Sequence, residues 1–107
     1  MSQEALKLAV CERALLLLQA QPNAFIVPIY TSVEAQLHWL IDYFSGKETD
    51  MKRLHTLTFG HYAVRELSPR YGELYAGLNA AFYVAEKTRE GVKVDVSLLE
   101  DFLATRV

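Results

Sequence analysis

The sequence predicts an all-α fold, a compact antiparallel bundle of four main helices plus a short C-terminal helix. Three observations carry that reading. Sixteen Leu and twelve Ala stand against nine Val and three Ile, so good helix formers outnumber the β-branched residues that favour strands. Four stretches repeat apolar residues at helical spacing. The connections between them are short and carry Pro, Gly, Asn and Ser, which punctuate chains. With 107 residues the whole chain, 1–107, reads as one domain. Such a chain buries roughly two-thirds of its unfolded surface, enough for a core. The balance of 51% hydrophobic and 22% charged residues argues against intrinsic disorder.

The elements follow in order. Ser2 caps a first helix that runs to about Ala20. Its apolar line is Leu8, Cys11, Leu15 and Leu18, widened by Leu6, Val10, Ala14 and Leu17. Pro22 and Asn23 end it. Ala24 to Tyr30 is an apolar connector, because Pro28 opposes a regular strand and no partner strand is evident. Thr31 with Glu34 has the capping-box pattern, opening a second helix to about Phe44. Its core face is Val33, Leu37, Leu40 and Phe44. Ser45-Gly46-Lys47 is a turn. Thr49 or Asp50 caps a third helix running to about Leu67, with Leu54, Leu57, His61 and Val64 inward. Ser68-Pro69 opens a fourth, with Leu74, Leu78, Ala81 and Ala85 inward, and Gly91 stops it. Val92, Val94 and Val96 form a short extended segment. Ser97 with Glu100 repeats the capping box and starts the terminal helix, to about Thr105.

Little in the sequence points to catalysis. His38, His55 and His61 include no pair four residues apart, so a helical metal pair is absent from the pattern. One cysteine, Cys11, forms no internal disulfide and lies on an apolar stripe, where a thiol is normally inert. The five glycines are scattered and build no phosphate loop. The expectation is a non-enzyme without catalytic residues, metal or cofactor. Eleven basic against thirteen acidic residues give a net charge of −2, which disfavours nucleic-acid binding. The start lacks a basic stretch, and Glu12 and Arg13 interrupt the first apolar run. No run approaches the ~20 apolar residues of a membrane span. The expected location is the cytoplasm, with no membrane partner.

A protein-binding face is better supported. On the second helix Gln36, Trp39 and Tyr43 follow i, i+3, i+7 beside the polar line Glu34, His38 and Asp42. On the predicted third helix His55, Phe59, Tyr62 and Glu66 form a face beside the core face. Amphipathic aromatics concentrate at interfaces, where they bury large area yet tolerate water when free. An exposed aromatic face is also compatible with weak homodimers.

Several segments keep a recognisable order and spacing. Glu12-Arg13-Ala14-Leu15 is followed by Pro22 and by Glu34-x-Gln36-Leu37. Leu54-His55-x-Leu57-Thr58-x-Gly60-x-x-Ala63-Val64-x-Glu66 leads to Phe82-Tyr83-Val84 and then Gly91-Val92-Lys93-Val94-Asp95. This pattern resembles the small helical immunity proteins of type VI secretion systems that neutralise an NAD(P)-glycohydrolase effector toxin. The likeness reaches about Asp95, and the tail from Val96 to Val107 lies beyond it. The apolar segment from Ala24 to Tyr30 also departs from it.

The resemblance implies an all-helical cytoplasmic immunity protein, or antitoxin, active in bacterial competition. Its partner is a cognate secreted effector toxin domain that consumes NAD, an NAD(P)-glycohydrolase or an ADP-ribosyltransferase. The resemblance implies further that the chain blocks that domain's active site and has no activity of its own. A dinucleotide cleft favours phosphate and is locally positive. Glu34, Asp42 and Glu66 are expected to meet its basic groups, while Tyr43, Phe59 and Tyr62 supply buried contact. Phe59 and Tyr62 are then expected to be replaceable by Ala without unfolding. The alternative is a helical adaptor or self-associating module.

Overall fold

In the computed structural model, residues 2–21, 28–59 and 72–104 are described. Helix α1 (Gln3–Gln19) starts where the sequence predicts: Ser2 Oγ accepts the Ala5 N–H at 3.2 Å, satisfying one orphan donor of the first turn. Leu6, Val10, Cys11, Ala14, Leu17 and Leu18 are buried. Leu8 and Leu15, predicted on the stripe, are only half-buried at its edge, and Leu16 is exposed. Four leucines in a row, 15–18, sweep most of a turn, so one face cannot hold them all.

Helix α2 (Pro28–Phe44) begins earlier than the capping box predicts. Proline suits a first turn, since its missing N–H has no helical partner there. Thr31 is therefore inside the helix, and the end of the predicted connector is helical. The core face is as predicted: Val33, Leu37, Leu40 and Phe44 are all buried. Gly46 ends α2 at φ 89°. The Lys47 N–H donates to Asp42 O at 2.8 Å and the Gly46 N–H to Tyr43 O at 3.2 Å, a Schellman pair that only a left-handed residue permits cheaply.

The predicted third helix is not continuous. Met51–Thr56 forms a 3₁₀ turn, and Leu57 is extended at φ −72° and ψ 135°. Asp50 opens the turn by accepting the Lys52 N–H at 3.1 Å. Thr56 Oγ1 donates to Arg53 O at 2.8 Å, a local side-chain bond of the kind that competes with helix propagation. Leu54 and Leu57 still point inward. The predicted inner residues His61 and Val64 lie outside the described residues, as do Pro22, Asn23, Ser68 and Pro69.

Helix α3 (Gly72–Glu90) buries Leu74, Leu78, Ala81 and Ala85 as predicted, with Gly77 and Val84 between them. A second Schellman pair closes it at Gly91, φ 71°, through the Val92 N–H to Lys87 O at 2.9 Å. Helix α4 (Val96–Ala104) is capped by Asp95, not Ser97. Asp95 Oδ1 accepts the Leu98 N–H at 3.3 Å, and the Tyr83 hydroxyl accepts the Asp95 N–H at 2.9 Å.

Among the described residues every ordered element is helical, so the all-α prediction holds. Helix α1 is the hub: α2, α3 and α4 all pack on it, and the 3₁₀ turn packs on α3. The α1–α3 crossing is close because Gly77 lacks a side chain. A Cβ there would lie 2.8 Å from Leu17 Cδ1 and 3.5 Å from Ala14 Cα. Lys7 is buried in α1, paired with Glu4 at 3.4 Å, its ammonium 5.7 Å from the Phe44 ring centre. This contact ties α1 to the end of α2.

Candidate protein-binding face

At 100° per residue, the core line of α2 leaves Thr31, Ala35, His38 and Asp42 on the opposite side. The first three are exposed and Asp42 is half-buried. One flank of this ridge meets α1, where Gln19 Nε2 donates to Glu34 Oε2 at 3.2 Å. The other flank carries Ser32, Gln36, Trp39 and Tyr43, and Trp39 meets Arg53 of the 3₁₀ turn. The Trp39 and Tyr43 rings stack at 5.3 Å with 29° between planes, and the Arg53 guanidinium sits 5.8 Å from the Trp39 ring centre. Tyr43 in turn meets Phe44 edge-on at 5.4 Å.

The structure thus unites most of the predicted face on α2. Glu34 and Asp42 are half-buried beside exposed His38, and Tyr43 is half-buried. His55 is exposed on the 3₁₀ turn. Trp39 is only 8% exposed, so it supports the face from beneath. Phe59 needs a larger correction: it is 0% exposed and packs edge-on against Phe82 at 5.2 Å and 88°. Its predicted surface position assumed an unbroken third helix. The break at Leu57 resets the register and turns the ring into the core. Tyr62 and Glu66 lie outside the described residues.

The sequence pattern places Gln36 beside Trp39 and Tyr43 and within the Glu34-x-Gln36-Leu37 segment, without announcing its partners. In the structure it is a clamp. Its Oε1 accepts the Thr58 N–H at 2.8 Å and the Phe59 N–H at 3.1 Å. Its Nε2 donates to Ser32 Oγ at 3.3 Å and to Thr58 Oγ1 at 3.2 Å. One amide has two donors and two acceptor positions, so every site is used. The clamp holds the chain just after the 3₁₀ turn against α2. Below it lies a groove of about 500 Å³ between α2 and the turn, bordered by Ser32, Gln36, Asp50, Lys52, Arg53 and Thr56. A second hollow of about 380 Å³, mostly apolar, lies between α3 and α4 beside Ala80, Tyr83, Leu98 and Phe102.

No cluster of three or more metal-ligating side chains occurs among the described residues. Cys11 is fully buried, and desolvation, reinforced by the neighbouring Glu12 charge, pushes its thiol far above the ordinary range. A neutral, enclosed thiol is not a nucleophile. What these residues offer is a surface: a ridge with carboxylates on one side, stacked aromatics beneath, and two cations on the other side.

A family model for Tsi6 matches residues 1–87. The chain belongs to the Tsi6 family. A relative from Pseudomonas aeruginosa, Immune protein Tsi6, is 35% identical over 68 residues, which are 64% of this chain and 72% of the relative. No solved structure matches the chain. The Tsi6 match contains α1, α2, the 3₁₀ turn and most of α3, and ends before α4. The ridge and groove of α2 therefore lie wholly within the family's shared part, whereas the α3–α4 hollow lies partly beyond it. No helix among the described residues is long and apolar enough to cross a membrane.

Proposed function

We propose that this Tsi6-family chain is a cytoplasmic immunity protein that binds a secreted antibacterial toxin domain and blocks its active site. Membership of a family with a relative named as an immune protein carries the reading. The toxin is one delivered by type VI secretion that consumes NAD, most simply an NAD(P)-glycohydrolase. That assignment rests on the resemblance read from the sequence and on charge. A cleft that holds a dinucleotide presents positive groups to phosphate, and the α2 ridge offers Glu34 and Asp42 to such groups. His38, Tyr43 and His55 add contact area around them, while Trp39 keeps the ridge rigid from below. At 1.5 Å per residue the 17-residue α2 is about 25 Å long, a span suited to one side of a standard interface.

The test is cellular NAD in a host expressing the toxin domain encoded beside this gene, with and without the chain. Depletion that the chain reverses is the expected result. A toxin that kills with NAD intact, yet is neutralised, removes the NAD-consuming assignment and keeps the immunity role. No protection by soluble protein removes both and favours a helical adaptor.

A further inference from the structure

We propose that the groove between α2 and the 3₁₀ turn receives an acidic side chain of the protein partner, held by Arg53 and Lys52. The inference rests on the immunity reading above and adds a polarity to its face. All four positions of the Gln36 amide are used. Thr56 donates its hydroxyl to Arg53 O, and Asp50 Oδ1 accepts the Lys52 N–H. Ser32 Oγ already accepts from Gln36. The cations differ. Lys7, Lys87 and Arg89 each have a glutamate within 4.0 Å, whereas Lys52 and Arg53, like Lys47 and Lys93, have no carboxylate partner among the described residues, and of these four only Lys52 and Arg53 border the groove. Two cations against Asp50 leave this groove at 2 − 1 = +1, in a chain whose net charge is −2.

Arg53 is the principal anchor. Its guanidinium rests over the Trp39 ring, which is itself stacked on Tyr43. A guanidinium steadied over a ring keeps its in-plane N–H fork for a carboxylate and loses less freedom on binding. The groove has room for an entire side chain. A polyanion such as a nucleic acid fits poorly, because Glu34 and Asp42 on the same helix would repel it. A single carboxylate entering beside Lys52 and Arg53 meets two cations against one anion, Asp50, whose Oδ1 is already engaged by the Lys52 N–H. The face is then bipolar, with anions along the α1 flank and ridge and cations along the 3₁₀ flank. A partner of matching polarity docks in one orientation, and wrong partners are rejected by like charges.

The experiment measures affinity of the full chain for the toxin domain encoded beside its gene, at low and high salt. Arg53→Gln, Lys52→Gln and Arg53→Lys are compared with wild type, after equal Tm values establish folding. Arg53→Gln is expected to weaken binding about thirtyfold, with Arg53→Lys recovering only part and Lys52→Gln costing about threefold. One Asp or Glu of the toxin, changed to its amide, should lose affinity against wild type but not further against Arg53→Gln. That coupling is a readout that a merely structural Arg53 would not produce. Wild-type binding with both glutamine variants within twofold, and an unchanged salt dependence, overturns the groove assignment alone. Failure of wild type to bind overturns the immunity reading and the groove with it.

Discussion

Phe59→Ala is expected to destabilise the protein by about 3–5 kcal/mol, the usual cost of emptying a core aromatic site. Phe59 has no exposed surface, and its ring meets the edge or face of Phe82 from α3. It is thus one of the links between the chain beyond the 3₁₀ turn and α3. Loss of the ring removes apolar burial and an edge-to-face pair together. Thermal unfolding should show a Tm lower by more than about 10 °C for a domain of this size. Any loss of toxin binding should then follow the loss of folded protein. An unchanged Tm with lost binding would place Phe59 on the partner face instead, as the sequence pattern alone suggested.

Gln36→Leu is expected to cost about 0.5–1.5 kcal/mol, because it strips the acceptor from the solvent-accessible Thr58 N–H and the part-buried Phe59 N–H while filling similar space. Gln36→Glu should cost much less. A carboxylate still accepts both N–H groups, and the Ser32 and Thr58 hydroxyls can rotate to donate to it. Hydrogen exchange locates the effect: the Thr58 and Phe59 amides should lose protection in Gln36→Leu before the α1–α3 crossing does. The same variant frees the 3₁₀ turn from α2, so Arg53 and His55 lose their positions relative to the ridge. Equal protection in both variants would mean that the clamp does not hold the turn.

Much of the fold could be read from local pattern. The core lines of α2 and α3 repeat at helical spacing with little interruption, and Ser2 and Gly91 are caps whose chemistry is local. Where the structure departs from the local pattern, the cause is competition settled by distant residues. The third helix breaks where Gln36, 22 residues earlier, takes the Thr58 N–H, and no local signal announces that partner. Asp95 and Ser97 are both acceptable caps, and the Tyr83 hydroxyl that holds the Asp95 N–H favours the first. Phe59 moved from surface to core because its predicted face was a product of the unbroken helix. On α2, where the helix is real, His38 of the polar line is exposed and Glu34 and Asp42 are half-buried. Lys52 and Arg53 carried no sequence signal, since two adjacent cations usually mark only a solvated turn.

The most direct test of the binding face is the rate of NAD hydrolysis by the toxin domain with stoichiometric chain, wild type or Ala35→Arg/His38→Arg. Both positions are exposed on α2, so each substitution should change stability by no more than about 0.5 kcal/mol. Wild type should abolish hydrolysis. The double variant, folded with a wild-type Tm, should leave most of it intact, because bulk and positive charge now oppose a positive cleft. Full inhibition by the folded double variant would contradict the assignment of the α2 ridge as the face that blocks the toxin.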